Sequence, residues 1–406
     1  MRTAALRITQ EELAEISGFN VSVVRKWEGR RETFTLAGKY AAGMDTILLR
    51  LDETQRARFE AALSGDDSPA YKGIAVDTFE SPSDIATRVQ RVTEMDADEG
   101  VLDIFSLAVT DVVDRYEVEG PRRLAPGVIG SRKQVEVLLQ QRRNPRQLGQ
   151  LYEVAGRLSG ILGYMAVNRG RFGHARMYCR EAFAIGELLG DKELQAWVRG
   201  TESFCAYYQG DYAAAVRLAY EGIDLAEGGP QAIRLYSNGL ARALGKAGDA
   251  TGVASAIDAA MSISRTIGAE STLTPALEFR PYGEARMMAN AATAFLSAGD
   301  YRRAIDYGQQ VQDRVDASDS VWSHSLVRLD MAAAMLGEGT RDVEQAAQLG
   351  IEALSASSDR PIRSVWQRAN DLAVLLRAIP TAASEGYLTE LEKWSPSARE
   401  FAAPEL

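Results

Sequence analysis

Four segments of the chain share one pattern, a glycine at a turn followed by aromatic or small residues, set between two long helical runs. They are GRFGHA from Gly170, GDYAAA from Gly210, GDATGV from Gly248 and GDYRRA from Gly299. Successive glycines lie 40, 38 and 51 residues apart (170, 210, 248, 299), and GEGTRDVEQAA near Gly339 follows 40 residues later. A helix, a turn and a second helix cannot bury an apolar face alone, so units repeating at this interval must stack into one continuous core. Small residues where the paired helices cross let them approach closely. The 51-residue interval holds an insertion, TLTPALEFRP at 272–281, whose prolines predict a loop.

This pattern resembles the tetratricopeptide repeat. LGYMAVNRGRFGHARMYCREAFAI carries that motif's Leu-Gly pair, its turn glycine (Gly170) and its small crossing residues Ala175 and Ala182. The intervals exceed that repeat's usual 34 residues, which marks a divergent version. The resemblance implies a right-handed superhelix with a concave face. Counted back from each turn glycine, the first helix of each pair should direct inward Arg157, Tyr164 and Asn168; Trp197, Phe204, Tyr207 and Tyr208; Asn238, Arg242 and Lys246; and Arg286 with Asn290. Aromatics grip apolar side chains, asparagines bond an extended backbone and arginines hold a carboxylate, so these residues suit a peptide or small-molecule effector. For each of them the alternative is ordinary packing between repeats.

A different organisation precedes the repeats. At 406 residues the chain exceeds what one non-repetitive core supports, which argues for at least two units. ITQEELAEISGFNVSVVRKWEGRRE, from Ile8, opens with the capping box Thr9-Gln10-Glu11-Glu12. The helix it starts turns Leu13 and Ile16 inward, Gly18 supplies a tight turn, and Asn20 is a good N-cap for a second helix. That helix buries Val24 and Trp27 and leaves Val21, Ser22, Arg25 and Lys26 outward. Leu48, Leu51, Phe59 and Leu63 extend the core, and 127–134, GVIGSRKQ, reads as a loop entering a helix.

The stretch resembles the phage-repressor-like (XRE) helix-turn-helix in its Thr-Gln pair, Leu-Ala, turn glycine and aromatic before glutamate. The resemblance implies sequence-specific contact with double-stranded operator DNA. Gln10 would bridge phosphate and the base-reading residues, with Asn20 capping the reading helix. Val21, Ser22 and Lys26 would face bases, and Arg25, Arg30 and Arg31 would lie near backbone phosphates. Two departures stand out: MRTAALR leaves room for barely two turns before Thr9, and Val21 offers a base edge only van der Waals contact.

Charge fits this division. The net charge is −10, yet residues 1–63 hold ten Lys/Arg against nine Asp/Glu, leaving 36 against 47 beyond them. An acidic body behind a locally basic RKWEGRR (25–31) directs phosphate contact to the N-terminal unit alone. With 46% hydrophobic and 25% charged residues, no membrane-length apolar run and no signal-like apolar segment after Met1, a soluble cytoplasmic protein is expected, gathered on the nucleoid when bound to DNA. Two cysteines, Cys179 and Cys205, without metal-like spacing read as buried thiols, and two histidines give a metal site or triad little to work with. Neither cofactor, metal nor catalytic residue is expected, and an enzyme is the weakest reading.

The expectation is therefore an all-α chain: a helix-turn-helix domain at 1–64, a linker at 65–73, a helical connecting segment at 74–150, a tetratricopeptide-like α-solenoid at 151–380, and a C-terminal helix and tail at 381–406. The functional expectation is a homodimeric DNA-binding transcriptional regulator whose repeats dimerise and sense a peptide or small molecule. The alternative is an interaction scaffold with a vestigial helix-turn-helix.

Overall fold

The computed structural model describes residues 2–28, 38–51, 53–64, 80–92, 99–141, 145–338, 342–398 and 401, and among these the secondary structure is entirely helical. Two compact units divide at 78/79. The expected linker at 65–73 lies outside the described residues, as do Arg30 and Arg31.

In the first unit α1 (Gln10–Ser17), α2 (Val21–Glu28), α3 (Lys39–Leu49) and α4 (Glu53–Ser64) follow one wide helical turn at Arg2–Leu6. The capping box forms in full: the Glu12 N–H donates to Thr9 Oγ1 at 3.2 Å, and the Thr9 N–H donates to Glu12 Oε2 at 2.7 Å. Gly18, with φ +69°, closes α1 in the left-handed region, where a side chain would be strained. Leu13, Ala14, Val24 and Ile47 make the core, with Trp27, Phe19 and Tyr40 stacked edge to face at its rim. Leu51 is buried, whereas Leu48 and Phe59 are half-buried, and the Leu63 side chain is outside the described set. Ile16 corrects the expected core face, for it is 53% exposed. The buried face centres between Leu13 and Ala14, and at about 100° per residue Ile16 lies some 110° away from that centre.

The second unit is a curved array of helix pairs. It begins with α5 (Pro82–Val92), α6 (Glu99–Glu119) and α7 (Pro121–Gln141), and then α8 (Pro145–Asn168) packs on α9 (Phe172–Leu189), and α10 (Lys192–Gln209) on α11 (Tyr212–Ala226). α12 (Pro230–Arg234) continues through a wide turn at Leu235–Leu240 into α13 (Ala241–Lys246), which pairs with α14 (Ala250–Ile267). The later pairs are α15 (Glu284–Ser297) with α16 (Tyr301–Asp316) and α17 (Val321–Gly337) with α18 (Val343–Ala356); α19 (Arg363–Arg377) and α20 (Ala382–Trp394) end the array. α8 runs straight through the boundary expected at 150, and α20, within the segment expected as a C-terminal helix and tail, packs on α18.

The four turn glycines all sit where expected, between the helices of a pair, with φ between +68° and +82°. After three of them an aspartate caps the next helix: Asp211 accepts from the Ala214 N–H, Asp249 from Gly252 and Asp300 from Arg303. Gly339 lies outside the described residues. Segment 127–134 is no loop but the middle of α7, because Leu124, Val128, Ser131, Val135 and Leu138 recur every three or four residues and are all buried. Burial of that stripe outweighs the roughly 1 kcal/mol that each helical glycine costs. Cys179 and Cys205 are buried thiols, and desolvation raises the Cys179 thiol well above its ordinary value.

Close approach is visible where α13 meets α15. A Cβ on Gly245 would stand 2.5 Å from the Ala294 carbonyl oxygen, a backbone atom with no freedom to yield. Gly245→Ala should lower stability by about 1–3 kcal/mol, read as a shifted denaturant midpoint with unchanged slope.

The first unit carries its own pH dependence. The Arg2 guanidinium bonds Glu28 at 2.6 and 2.9 Å and holds that carboxyl below the usual range. A depressed folded-state pKa gives stability that is full above the ordinary glutamate value and is lost as pH falls through the lower, folded one. Unfolding of this unit, followed by Trp27 fluorescence, should therefore grow easier below about pH 4, and Glu28→Gln should flatten that limb.

Candidate functional site

The outward face of α2 is built by its N-terminal cap. Asn20 Oδ1 accepts from the Ser22 N–H at 2.9 Å and from the Ser22 hydroxyl at 2.7 Å, which fixes the start of the helix. Ser22, Arg25 and Lys26 are exposed on it, while Val21 is half-buried against the core. Arg25 pairs with Glu11 at 2.5 Å, both more than half exposed, so water screens the pair and either partner can exchange. Gln10 donates to Glu28 Oε2 at 2.6 Å and so ties α1 to the end of α2. The face is small, polar and cationic, and its helix start is free of bulky side chains.

In the second unit the first helices of the pairs converge on one interior, and the array curls until its late helices meet its early ones. Tyr116 of α6 packs edge to face on Trp322 of α17 at 5.2 Å and on Tyr164 of α8 at 6.0 Å. Tyr164 stacks on Phe204 at 5.1 Å, and Phe204 meets Tyr208 at 4.8 Å. Desolvation raises the Tyr116 and Tyr164 phenols, so both stay un-ionised through the ordinary pH range.

Segment 269–283, a loop as expected, fills part of this interior. Leu277 and Tyr282 are fully buried, Phe279 stacks on Trp197 at 4.7 Å, and the Trp197 indole N–H donates to the Glu278 carbonyl at 3.0 Å. The expectation of an open concave groove is thereby corrected. Trp197, Phe204, Tyr207, Tyr208, Asn238, Arg242 and Arg286 face inward, yet each is less than 9% exposed, because the insertion and the late helices cover them. Arg157 stays half-buried, pairs with Glu153 and lies 5.8 Å over Phe279. Lys246 is exposed at the edge of a second, outer hollow of ≈ 340 Å³ that also includes Tyr207, Leu296, Leu329, Val374 and Leu375.

A cavity of ≈ 70 Å³ remains at the centre, and eight of the twelve expected groove residues border it: Tyr164, Asn168, Phe204, Tyr208, Asn238, Arg242, Arg286 and Asn290. Arg286 donates to Glu117 Oε1 at 2.6 Å, to Ser323 Oγ at 2.9 Å and to the Thr274 carbonyl at 2.7 Å, joining α15, α6, α17 and the insertion. Arg368 binds Asp330 at 3.0 Å and Thr293 at 2.9 Å, and Thr293 donates to Asp330 at 2.6 Å. Sequence reasoning missed Glu117, Asp330 and Arg368. Asp330 was discoverable as the one acid in VWSHSLVRLDMAAAMLG, set directly between Leu329 and the apolar run from Met331, whereas Glu117 and Arg368 stand in mixed helices with no such contrast.

No family model matches the chain, and no curated protein does. Among solved structures it is similar to a signal-transduction ATPase with numerous domains that carries a tetratricopeptide repeat sensor, from Pyrococcus horikoshii. The two are 13% identical with a TM-score of 0.38, and the match covers 81% of this chain but only 55% of that one. Among the described residues no helix is long and apolar enough to cross a membrane.

The Arg286–Glu117 contact joins residues 169 apart in sequence, with both side chains nine-tenths buried. Removing one partner leaves a buried charge uncompensated, so Glu117→Ala should cost about 3–5 kcal/mol. Pairing it with Arg286→Leu should restore much of that loss, a coupling measured by a double-mutant cycle in denaturant.

Proposed function

We propose that the chain is a DNA-binding transcriptional regulator of the XRE type, whose second unit is a divergent tetratricopeptide array that receives an effector. The observation that carries the reading is the helix pair of the first unit. α1, the left-handed Gly18 and a capped α2 place Ser22, from the first turn, together with Arg25 and Lys26, from the last, on one exposed helix face, as a reading helix lying in a major groove requires. The acidic balance of the remainder keeps other faces from competing for phosphate. The protein acts as a cytoplasmic homodimer on operator DNA, since one short reading helix with a half-buried Val21 gives too few base contacts by itself. It binds and signals rather than catalyses.

Linkage supplies the mechanism. An effector that favours one curvature of the array shifts the spacing of two reading helices, and half-sites must lie about one turn, ~34 Å, apart for both to engage. A mobility-shift titration on the DNA upstream of its own coding sequence tests this. Wild-type protein should give a discrete complex, and Arg25→Ala with Lys26→Ala should weaken it and reduce the salt dependence by about one unit of slope for each phosphate that is no longer neutralised. No complex at ~50 mM salt, or one indifferent to both substitutions, leaves the scaffold reading in its place.

A further inference from the structure

The central cavity contains three guanidinium groups, Arg242, Arg286 and Arg368, against two carboxylates, Glu117 and Asp330. Each carboxylate is already paired, Glu117 with Arg286 and Asp330 with Arg368. Arg242 is left over. It is 4% exposed, its bonds go to neutral groups, Asn238 Oδ1 at 2.6 Å and the Tyr208 hydroxyl at 2.9 Å, and among the described residues no carboxylate stands within 4.0 Å of it. Its guanidinium carbon lies 4.6 Å over the Tyr207 ring, which offsets part of the charge but supplies no anion. Asp330 acts on Arg242 only through space, since its carboxylate is bonded to Arg368, and a buried cation with no carboxylate bonded to it is costly.

The polar atoms around the cavity point the same way. Arg242 Nε and Asn290 Nδ2 are donors without partners, and Asn168 Oδ1, on a residue 3% exposed, is an acceptor without one. Asn168 cannot turn away, since its amide already donates to the Tyr116 hydroxyl at 2.7 Å. Two donors beside a surplus positive charge suit a carboxylate, and a lone acceptor suits a hydroxyl. The cavity of ≈ 70 Å³ has room for about five water-sized groups, which excludes an extended peptide and matches an acid of a few carbons. The insertion supports the same size limit, because its Ala276 and Tyr282 form part of the cavity wall.

We propose that this cavity is a binding site for a small monocarboxylate bearing a neighbouring hydroxyl, held with its carboxylate toward Arg242 and Asn290 and its hydroxyl toward Asn168. The site is the input of the sensor suggested above and deepens that reading, but its occupancy is measured without DNA, so either can fail while the other stands.

The probe is lactate, added to the full chain at 50 mM, with lactamide and sodium chloride at the same concentration as controls. Lactate alone should raise the thermal midpoint by about 2–4 °C. Arg242→Gln should abolish the rise. Should that variant not fold, Asn290→Asp decides, because it sets a carboxylate within the cavity: the variant should be at least as stable as wild type and indifferent to lactate. Equal shifts with lactate and lactamide, or an Asn290→Asp protein that is destabilised and still responds, overturn the proposal. An equal shift with N-acetyl-dialanine overturns the small-acid assignment.

Discussion

The second unit depends on the ion pair of Arg286 with Glu117. A stack of helix pairs has contacts only between neighbours and can in principle remain open. Here one guanidinium satisfies a carboxylate from α6, a hydroxyl from α17 and a carbonyl from the insertion, so four separate parts of the chain share one set of donors. Around that joint the aromatic series Trp322, Tyr116, Tyr164, Phe204 and Tyr208 fills the interior. The ion pair fixes where the late helices stop, and the rings supply the apolar area that makes the closure favourable.

Much of this was legible in the residues. The turn glycines 170, 210, 248 and 299 announce left-handed turns, and the aspartates after three of them announce the following helices, because both effects are local and act through backbone sterics and capping. The inward direction of Tyr164, Asn168, Phe204, Tyr208, Asn238, Arg242, Arg286 and Asn290 follows from helical periodicity alone. Their burial does not, for it depends on where segment 269–283 folds back and on contacts such as that of Arg286 with Glu117, 169 residues apart, which no local pattern encodes. For the same reason two glycines in α7 misled: a buried stripe from Leu124 to Leu138 is a tertiary fact that overrides a local preference.

In the helix between Pro230 and Lys246 the wide turn at Leu235–Leu240 has a specific effect on the interior. Residues eight apart drift by about 80° on a regular α-helix, but absorbing one extra residue returns them to within about 20° of one line. Arg234 and Arg242 thus share a face and both meet α10, Arg234 at the Trp197 carbonyl and Thr201, Arg242 at Tyr208. Such insertions concentrate where function needs a side chain re-aimed.

Closure also changes how the second unit comes apart. An open array frays from its ends, each terminal pair leaving with little effect on the rest, and its stability is nearly a sum over pairs. Once Trp322 rests on Tyr116 and Arg360 reaches the Val118 carbonyl, the last helices cannot leave without opening the first. Closure therefore couples the loss of the last helices to that of the first, and whatever alters the interior is felt at α6 and at α17 together.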